Sequence, residues 1–166
     1  MFTADLLHRT EDFLAQCRAR RIMLTTAESC TGGLLAALLT SIAGSSDVFE
    51  RGFVTYSNRA KEEALGVDTE LLATYGAVSA EMARAMAEGA LAHSQAQLAL
   101  SVTGIAGPGG GSPEKPVGLV YFGCGTRGKI TTHERRFGDI GRMEVRLASI
   151  VVGLDLLCEA VAAVSE

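Results

Sequence analysis

Hydrophobic and polar positions change period along the chain, and those changes divide it into elements. From about Thr3 to Ala19, Leu6, Leu7, Phe13, Leu14 and Cys17 recur at helical spacing, with Asp5 near the start and Arg18 and Arg20 at the end, as the helix dipole favours. This predicts an amphipathic first helix. The run "IMLTTAE" is short, apolar and β-branched. It leads into Gly32-Gly33 and the Ala/Leu-rich segment Leu34 to Ile42, a pattern of strand, tight turn and helix. After the "AGSSD" loop, "FVTYS" predicts another strand, followed by a short helix from about Asn58 to Leu65 with Asn58 as its cap. Asp68 and Ser79 are placed to cap two further helices, the second being "AEMARAMAEGALAHS". "LALSVTG" reads as a buried strand and "GIAGPGGGSPEKP" as a loop. "VGLVYFGCG" and "KITTHERRF" flank a short Gly-containing turn, as in a hairpin, and the segment from Asp139 to about Val164 reads as helix throughout. Alternating strands and helices with one late hairpin predict an α/β fold. The expected form is a three-layer α/β/α sandwich on a mostly parallel mixed sheet with one antiparallel strand.

Composition narrows the function classes. A chain of 166 residues with 48% hydrophobic and 20% charged positions has the material for one full core, and neither a linker nor a repeat divides residues 1–166. The formal net charge of −4 argues against nucleic acid as a partner, because that role needs clustered excess Lys and Arg. A local anion site remains compatible with it. The mean hydropathy of +0.24 is positive, yet no run of about 18 uncharged apolar residues occurs, so no membrane partner is expected. The first residues lack the apolar stretch and small-residue cleavage site of a secretory signal, and the expected location is the cytoplasm. Cys17, Cys30, Cys124 and Cys158 are dispersed, with no C-x-x-C and no His at ligand spacing, so neither a metal nor a redox cofactor is expected.

Four short motifs mislead. "GCGTRG", Gly123 to Gly128, fits G-x-G-x-x-G but precedes a strand pattern, not the helix that would hold a pyrophosphate. "GPGGGSPEK" lacks the closing Gly-Lys-Ser/Thr of a P-loop. "SPEK", Ser112 to Lys115, matches S-x-x-K, but Pro116 and the strand beyond it deny the serine a helix start. His8, His93 and His133 have no Asp or Glu spacing that marks a triad member and read as surface residues.

"TTAESCTGG", Thr25 to Gly33, is different. A strand ending at Ala27-Glu28 and a helix beginning after Gly33 put Ser29, Cys30 and Thr31 at a helix N-terminus, where backbone N–H groups favour negative charge. Either Ser29 or Thr31 is the helix cap, or Ser29 is a nucleophile whose oxyanion meets those amides, with Gly32 letting substrate approach. No histidine qualifies as the base. "TYSNRAKEEALG" offers Tyr56 and Lys61; the plain alternatives are a core aromatic and a surface lysine beside Glu62 and Glu63. A Ser–Lys pair works only where desolvation or nearby cations make the amine neutral. The loop after Thr103, with Gly104, Gly107, Gly109 and Gly110, stands where α/β folds bind ligands and can wrap a phosphate with bare amides. Arg142 and Arg146, one turn apart on the last helix, are either a phosphate clamp or solvent-facing charges.

Taken together, "TAESCTGGLLAALLTSIAGSS", "FERGFVTYSNRAKEEALGV", "YGAVSAEMARAMAEGA", "SVTGIAGPGGG" and "KPVGLVYFG" closely resemble the CinA C-terminal domain family, in family order and over nearly the whole chain. The resemblance implies hydrolysis of the carboxamide of nicotinamide mononucleotide to nicotinic acid mononucleotide and ammonia, without a metal or other cofactor. It implies Ser29 as nucleophile and Tyr56 with Lys61 as the base system. Thr103 would be a functional threonine, and Arg142 would match the closing arginine of the family's G-D-R-x-x-V-R pattern, from which "GDIGRMEVR" departs by two residues before the arginine. Glu28 would orient the turn or offset the pyridinium charge, while the glycine loop and Arg142 would hold the 5′-phosphate. It also implies the stand-alone form of the domain and a homodimer, for which "ASIVVGLDLLCEAVAAV" offers an apolar face. The competing expectation is a non-catalytic nucleotide-binding protein of the same family, linked to competence or DNA damage.

Overall fold

A computed structural model describes residues 2–164. Its elements, in chain order, are α1 (Ala4–Ala19), β1 (Leu24–Glu28), α2 (Leu34–Thr40), β2 (Phe49–Val54), α3 (Asn58–Leu65), α4 (Thr69–Tyr75), α5 (Ala80–Ala92), β3 (Leu98–Gly104), β4 (Leu119–Thr126), β5 (Lys129–Arg136) and α6 (Arg142–Ala163). A 3-10 turn at Ser45–Asp47 precedes β2. The last helix starts at Arg142, three residues later than the sequence pattern suggests, because Gly138 and Gly141 both adopt positive φ.

Side-chain caps fix where several helices begin. Thr3, Asp68 and Ser79 accept from the amides of Leu6, Glu70 and Met82, each such cap contributing about 1 kcal/mol. The cap of α3 is Ser57, which accepts from Ala60 N; Asn58, expected in that role, is instead the first helical residue.

The sheet order is β2-β1-β3-β4-β5. β1 pairs in parallel with β2 and β3, whereas β4 is antiparallel to both β3 and β5. Four strands therefore share one direction and β4 alone opposes it, as the late hairpin requires. On one face α1, α2 and α6 enclose the larger core with Phe13, Leu35, Leu38, Leu100, Phe122 and Leu154; on the other, α5 lies on the sheet and carries α3 and α4 outside it. Gly123, part of the false dinucleotide motif, serves this packing: a Cβ there would sit 2.4 Å from the Ala83 carbonyl oxygen of α5. The apolar run of α6 serves the core as well. Ile150, Gly153, Leu154, Leu156, Leu157 and Val161 are buried, while Val151, Val152 and Cys158 of the same run are half-buried. No helix among the described residues is long and apolar enough to cross a membrane.

This topology creates a crevice. The chain leaves β1 through α2 to β2 on one side of β1, then returns through α3, α4 and α5 to β3 on the other side. Ligand crevices in open α/β sheets form at such reversals, beyond the carboxyl ends of the strands. Glu28, the last residue of β1, is level with Val54 of β2 and Val102 of β3, so the segments after the three strands emerge side by side.

Candidate active site

The turn after β1 is built around one buried carboxylate. Glu28 is fully buried, and its Oε2 accepts from the amides of Gly33 and Leu35 at 3.1 and 3.0 Å while Oε1 accepts from Ala36 at 2.8 Å. The start of α2 is thus satisfied by Glu28, neither by Ser29 nor by Thr31, and Gly33 at the cap position makes no side-chain cap bond. The three amides on Glu28 are spent and cannot serve an oxyanion. Gly32 and Gly33 adopt φ of +59° and +92°, the left-handed region that glycine enters without steric cost and that two successive side chains would resist. Ser29 N donates to Val102 O and Gly32 N to Ser29 O, which closes the turn. Among the described residues the N–H groups of Cys30 and Thr31 find no acceptor outside the turn.

The segment after β2 brings an amine to this turn. Lys61, on α3, is only 1% exposed, which excludes the surface alternative. Its Nζ lies 3.1 Å from Ser29 Oγ and donates to Thr55 O at 2.9 Å. No carboxylate pairs with it among the described residues. Burial therefore holds the Lys61 pKa below the ordinary lysine value, with the Cys30 thiol acting in the opposite direction. The adjacent thiol is in the opposite condition: burial pushes Cys30 up to about 12, so it is a protonated thiol at neutral pH and a poor nucleophile.

Tyr56 is neither a core aromatic nor in hydrogen-bond contact with the dyad. It is 58% exposed, and its hydroxyl accepts from Arg142 Nη2. Arg142 Nη1 donates to Gly107 O at 2.9 Å, so this arginine bridges the segment after β2 and the glycine loop across the mouth of the crevice. Arg146 is engaged elsewhere, its Nη2 donating to Thr31 O at 2.9 Å beneath the Ser29–Gly33 turn. Thr103 Oγ1 donates to Ala77 O at 2.6 Å and fastens the α4–α5 connection to the end of β3.

A cleft of about 240 Å³ is lined by Ser29, Cys30, Tyr56, Lys61, Thr103, Gly104 and Arg142 from the sequence-predicted set. Thr31 and Gly32 lie behind it in the turn, and Glu28 lies behind the turn. Gly107 reaches the site through its carbonyl on Arg142. Gly109 and Gly110 are exposed and stand outside the lining. Sequence reasoning missed Asn58, Ala77, Val78 and Ala106 as wall residues. Asn58 is visible within the Tyr-Ser-Asn-x-x-Lys block, but its place before a helical pattern suggests a cap; the other three carry no chemical signal. No grouping of three or more His, Cys, Asp or Glu side chains suited to a metal ion occurs among the described residues.

Residues 7–161 match the CinA C-terminal domain. The nicotinamide-nucleotide amidohydrolase PncC of Escherichia coli is 52% identical over 141 residues, which cover 84% of this chain and 86% of that protein. A putative competence-damage inducible protein of Caldicellulosiruptor bescii is 50% identical over 139 residues, 83% of this chain but 33% of that protein; the chain thus spans about a third of the length of such relatives. The crystal structure of the competence/damage inducible protein CihA from Agrobacterium tumefaciens superposes with a TM-score of 0.93 at 52% identity, covering 96% of this chain and 98% of that one. The chain belongs to the CinA C-terminal domain family.

Proposed function

We propose that the chain hydrolyses the carboxamide of nicotinamide mononucleotide, releasing ammonia and nicotinic acid mononucleotide. The observation that carries this reading is the buried Lys61 amine, 3.1 Å from Ser29 Oγ and without a carboxylate partner. The name of the E. coli relative supports the substrate class. In the first half-reaction Ser29 Oγ attacks the carboxamide carbon as its proton passes to Lys61 Nζ. The carbonyl π electrons move onto oxygen, which the N–H groups of Cys30 and Thr31 receive. The tetrahedral species collapses, the C–N bond breaks, and the Lys61 ammonium returns the proton to the departing nitrogen, giving ammonia and an acyl-Ser29. Water then attacks the ester carbon with Lys61 again taking the proton, and the acid leaves as Ser29 is restored. The positive pyridinium ring makes the carboxamide more electrophilic and disfavours a charged Lys61 next to it.

Arg142 and the glycine loop would take the 5′-phosphate. Two of the five guanidinium N–H groups of Arg142 are engaged, by Gly107 O and the Tyr56 hydroxyl, which leaves three for phosphate oxygens. Tyr56 acts in this reading as a wall and a brace for Arg142. The reading extends to a cytoplasmic enzyme of pyridine-nucleotide recycling acting as a homodimer. The test is ammonia release from nicotinamide mononucleotide by the purified chain, with Ser29→Ala as control and the acid product identified by mass spectrometry. Binding of the mononucleotide without ammonia release would favour the non-catalytic alternative.

A further inference from the structure

The Ser29–Gly33 turn contains a line of hydrogen bonds that begins at a charge and ends at a donor committed to no other described residue. Arg146 Nη2 donates to Thr31 O at 2.9 Å; the N–H of the same peptide unit, on Gly32, donates to Ser29 O at 3.0 Å; and the N–H of the peptide unit containing Ser29 O belongs to Cys30. Among the described residues the Cys30 N–H has no acceptor beyond its own thiol, and Cys30 lines the cleft. Each link joins the carbonyl of one peptide to the amide of the next, so a positive charge at one end polarises every unit in the same sense. Hydrogen bonds in series strengthen one another in a low-dielectric interior. We infer that Arg146 is a positioning residue for the reaction, which aligns the Ser29–Gly32 peptides and polarises the Cys30 N–H towards the oxyanion of the transition state.

Three further observations agree with that role. Arg146 Nε is buried with no acceptor, so the side chain is held for its contact at Nη2 despite the cost of an unmet donor. The space above Gly32 is closed by the same group: a Cβ on Gly32 would lie 3.2 Å from Arg146 Nη2, which ties the glycine at this turn to the arginine beneath it. Finally, the field of Arg146 reaches the turn, since it acts to lower the Cys30 thiol pKa against the dominant effect of burial. Arg146 does not line the cleft, whereas Arg142, one helical turn earlier, does. The two arginines therefore divide the work: Arg142 meets the substrate and Arg146 acts through the backbone.

The inference rests on Ser29 as the nucleophile proposed above, and its test does not depend on the substrate. An alkyl fluorophosphonate phosphonylates an activated serine: Ser29 Oγ bonds to phosphorus, fluoride leaves, the serine proton passes to Lys61, and the phosphoryl oxygen occupies the oxyanion position. Labelling rates are compared for wild type, Arg146→Gln and Arg146→Lys, with kcat and KM for nicotinamide mononucleotide measured in parallel. Loss of one full oxyanion donor costs about 100- to 1000-fold in kcat, and a donor that is weakened but retained should cost about tenfold. The expected result is labelling and kcat both about tenfold slower in Arg146→Gln, with KM unchanged. Arg146→Lys, which keeps the charge and a donor, should recover most of the loss. Thermal unfolding and mononucleotide affinity by calorimetry verify that each variant retains its fold and site. Labelling of Arg146→Gln at the wild-type rate, or a rise in KM with kcat unchanged, would overturn the inference; the second outcome would make Arg146 a phosphate contact. Equal losses in the Gln and Lys variants would also overturn it, reducing Arg146 to a steric prop. If wild type is labelled in an Arg146-dependent manner but does not hydrolyse the mononucleotide, the substrate assignment falls and the inference stands.

Discussion

Replacing Lys61 with methionine separates the chemical role of the amine from its structural one. The stem of Lys61 is already packed, and methionine has similar length, so the change removes mainly the Nζ group. Two effects on stability follow. Thr55 O loses the donor at 2.9 Å, a loss of about 1–3 kcal/mol that does not vary with pH. The second effect is ionisation. Burial lowers the Lys61 pKa in the folded chain, so between the folded and the unfolded values the unfolded chain binds more protons. The stability associated with Lys61 is fully present above the unfolded pKa and is lost as pH falls towards the folded one. Within that window wild type gains about 1.4 kcal/mol per pH unit relative to Lys61→Met. The assay is urea denaturation of both proteins at half-unit steps from pH 7 to pH 10.5, with the difference in unfolding free energy plotted against pH. A difference that rises with pH is expected. A flat line would refute the reasoning, because it would mean that Lys61 titrates alike in folded and unfolded chains and hence enters the site as an ammonium. Amidase activity should fall at least 100-fold in the same variant, within the range of lost general-base catalysis.

Three other outcomes are expected. Ser29→Ala should abolish ammonia release, whereas Cys30→Ala, which removes a thiol that burial holds near 12, should keep activity within about tenfold of wild type; kcat measurements on both decide which atom attacks. Arg142→Ala should raise KM on nicotinamide mononucleotide by at least about tenfold, from ~1.5–3 kcal/mol of lost charge-assisted bonding, and leave nicotinamide riboside turnover nearly unchanged; comparison of the two substrates reads this directly. Glu28→Ala strips the acceptor from Gly33, Leu35 and Ala36 and should destabilise the fold by at least about 2 kcal/mol in denaturant titration, since orphaned buried amides are costly.

The sheet and the residues that line the cleft were legible in the sequence for definite reasons. β-branched runs bounded by glycine, and a hairpin late in the chain, are local signals; they fixed the strands and the single antiparallel member. Ser29, Lys61, Thr103 and Arg142 stand in conspicuous blocks, and the crevice at the strand ends assembles them. What was not legible depended on contacts between distant segments. Whether Lys61 is buried turns on how α3 seats against the turn after β1, and its neighbours Glu62 and Glu63 suggest the opposite. Tyr56 looked like a partner of Lys61 because both fall in one block, but its hydroxyl meets an arginine 86 residues away. Arg146 looked like a twin of Arg142 at helical spacing. One turn of α6 is enough to carry one guanidinium to the cleft mouth and the other beneath the nucleophile turn.

The placement of Glu28 keeps an acidic residue away from Lys61 although both side chains meet the turn after β1. Glu28 and Ser29 are consecutive, and a carboxylate beside Lys61 would favour the ammonium form and spoil the base. Successive side chains along a strand point to opposite faces of the sheet. At the end of β1 this alternation sends Glu28 towards α2, on the face with α1 and α6, and leaves Ser29 to meet Lys61 of α3, which lies on the other face. The carboxylate then finds three amides and the positive end of the α2 dipole, which satisfy its charge without any cation. Lys61 accordingly experiences burial as its dominant influence, with no acid among the causes of its shift. A one-residue slip in the register of β1 would exchange the two side chains, pairing Glu28 with Lys61 and burying Ser29 against α2. The parallel pairing of β1 with both β2 and β3, in register over Thr25–Glu28, guards against that slip and so keeps the carboxylate away from the amine on which the proposed chemistry depends.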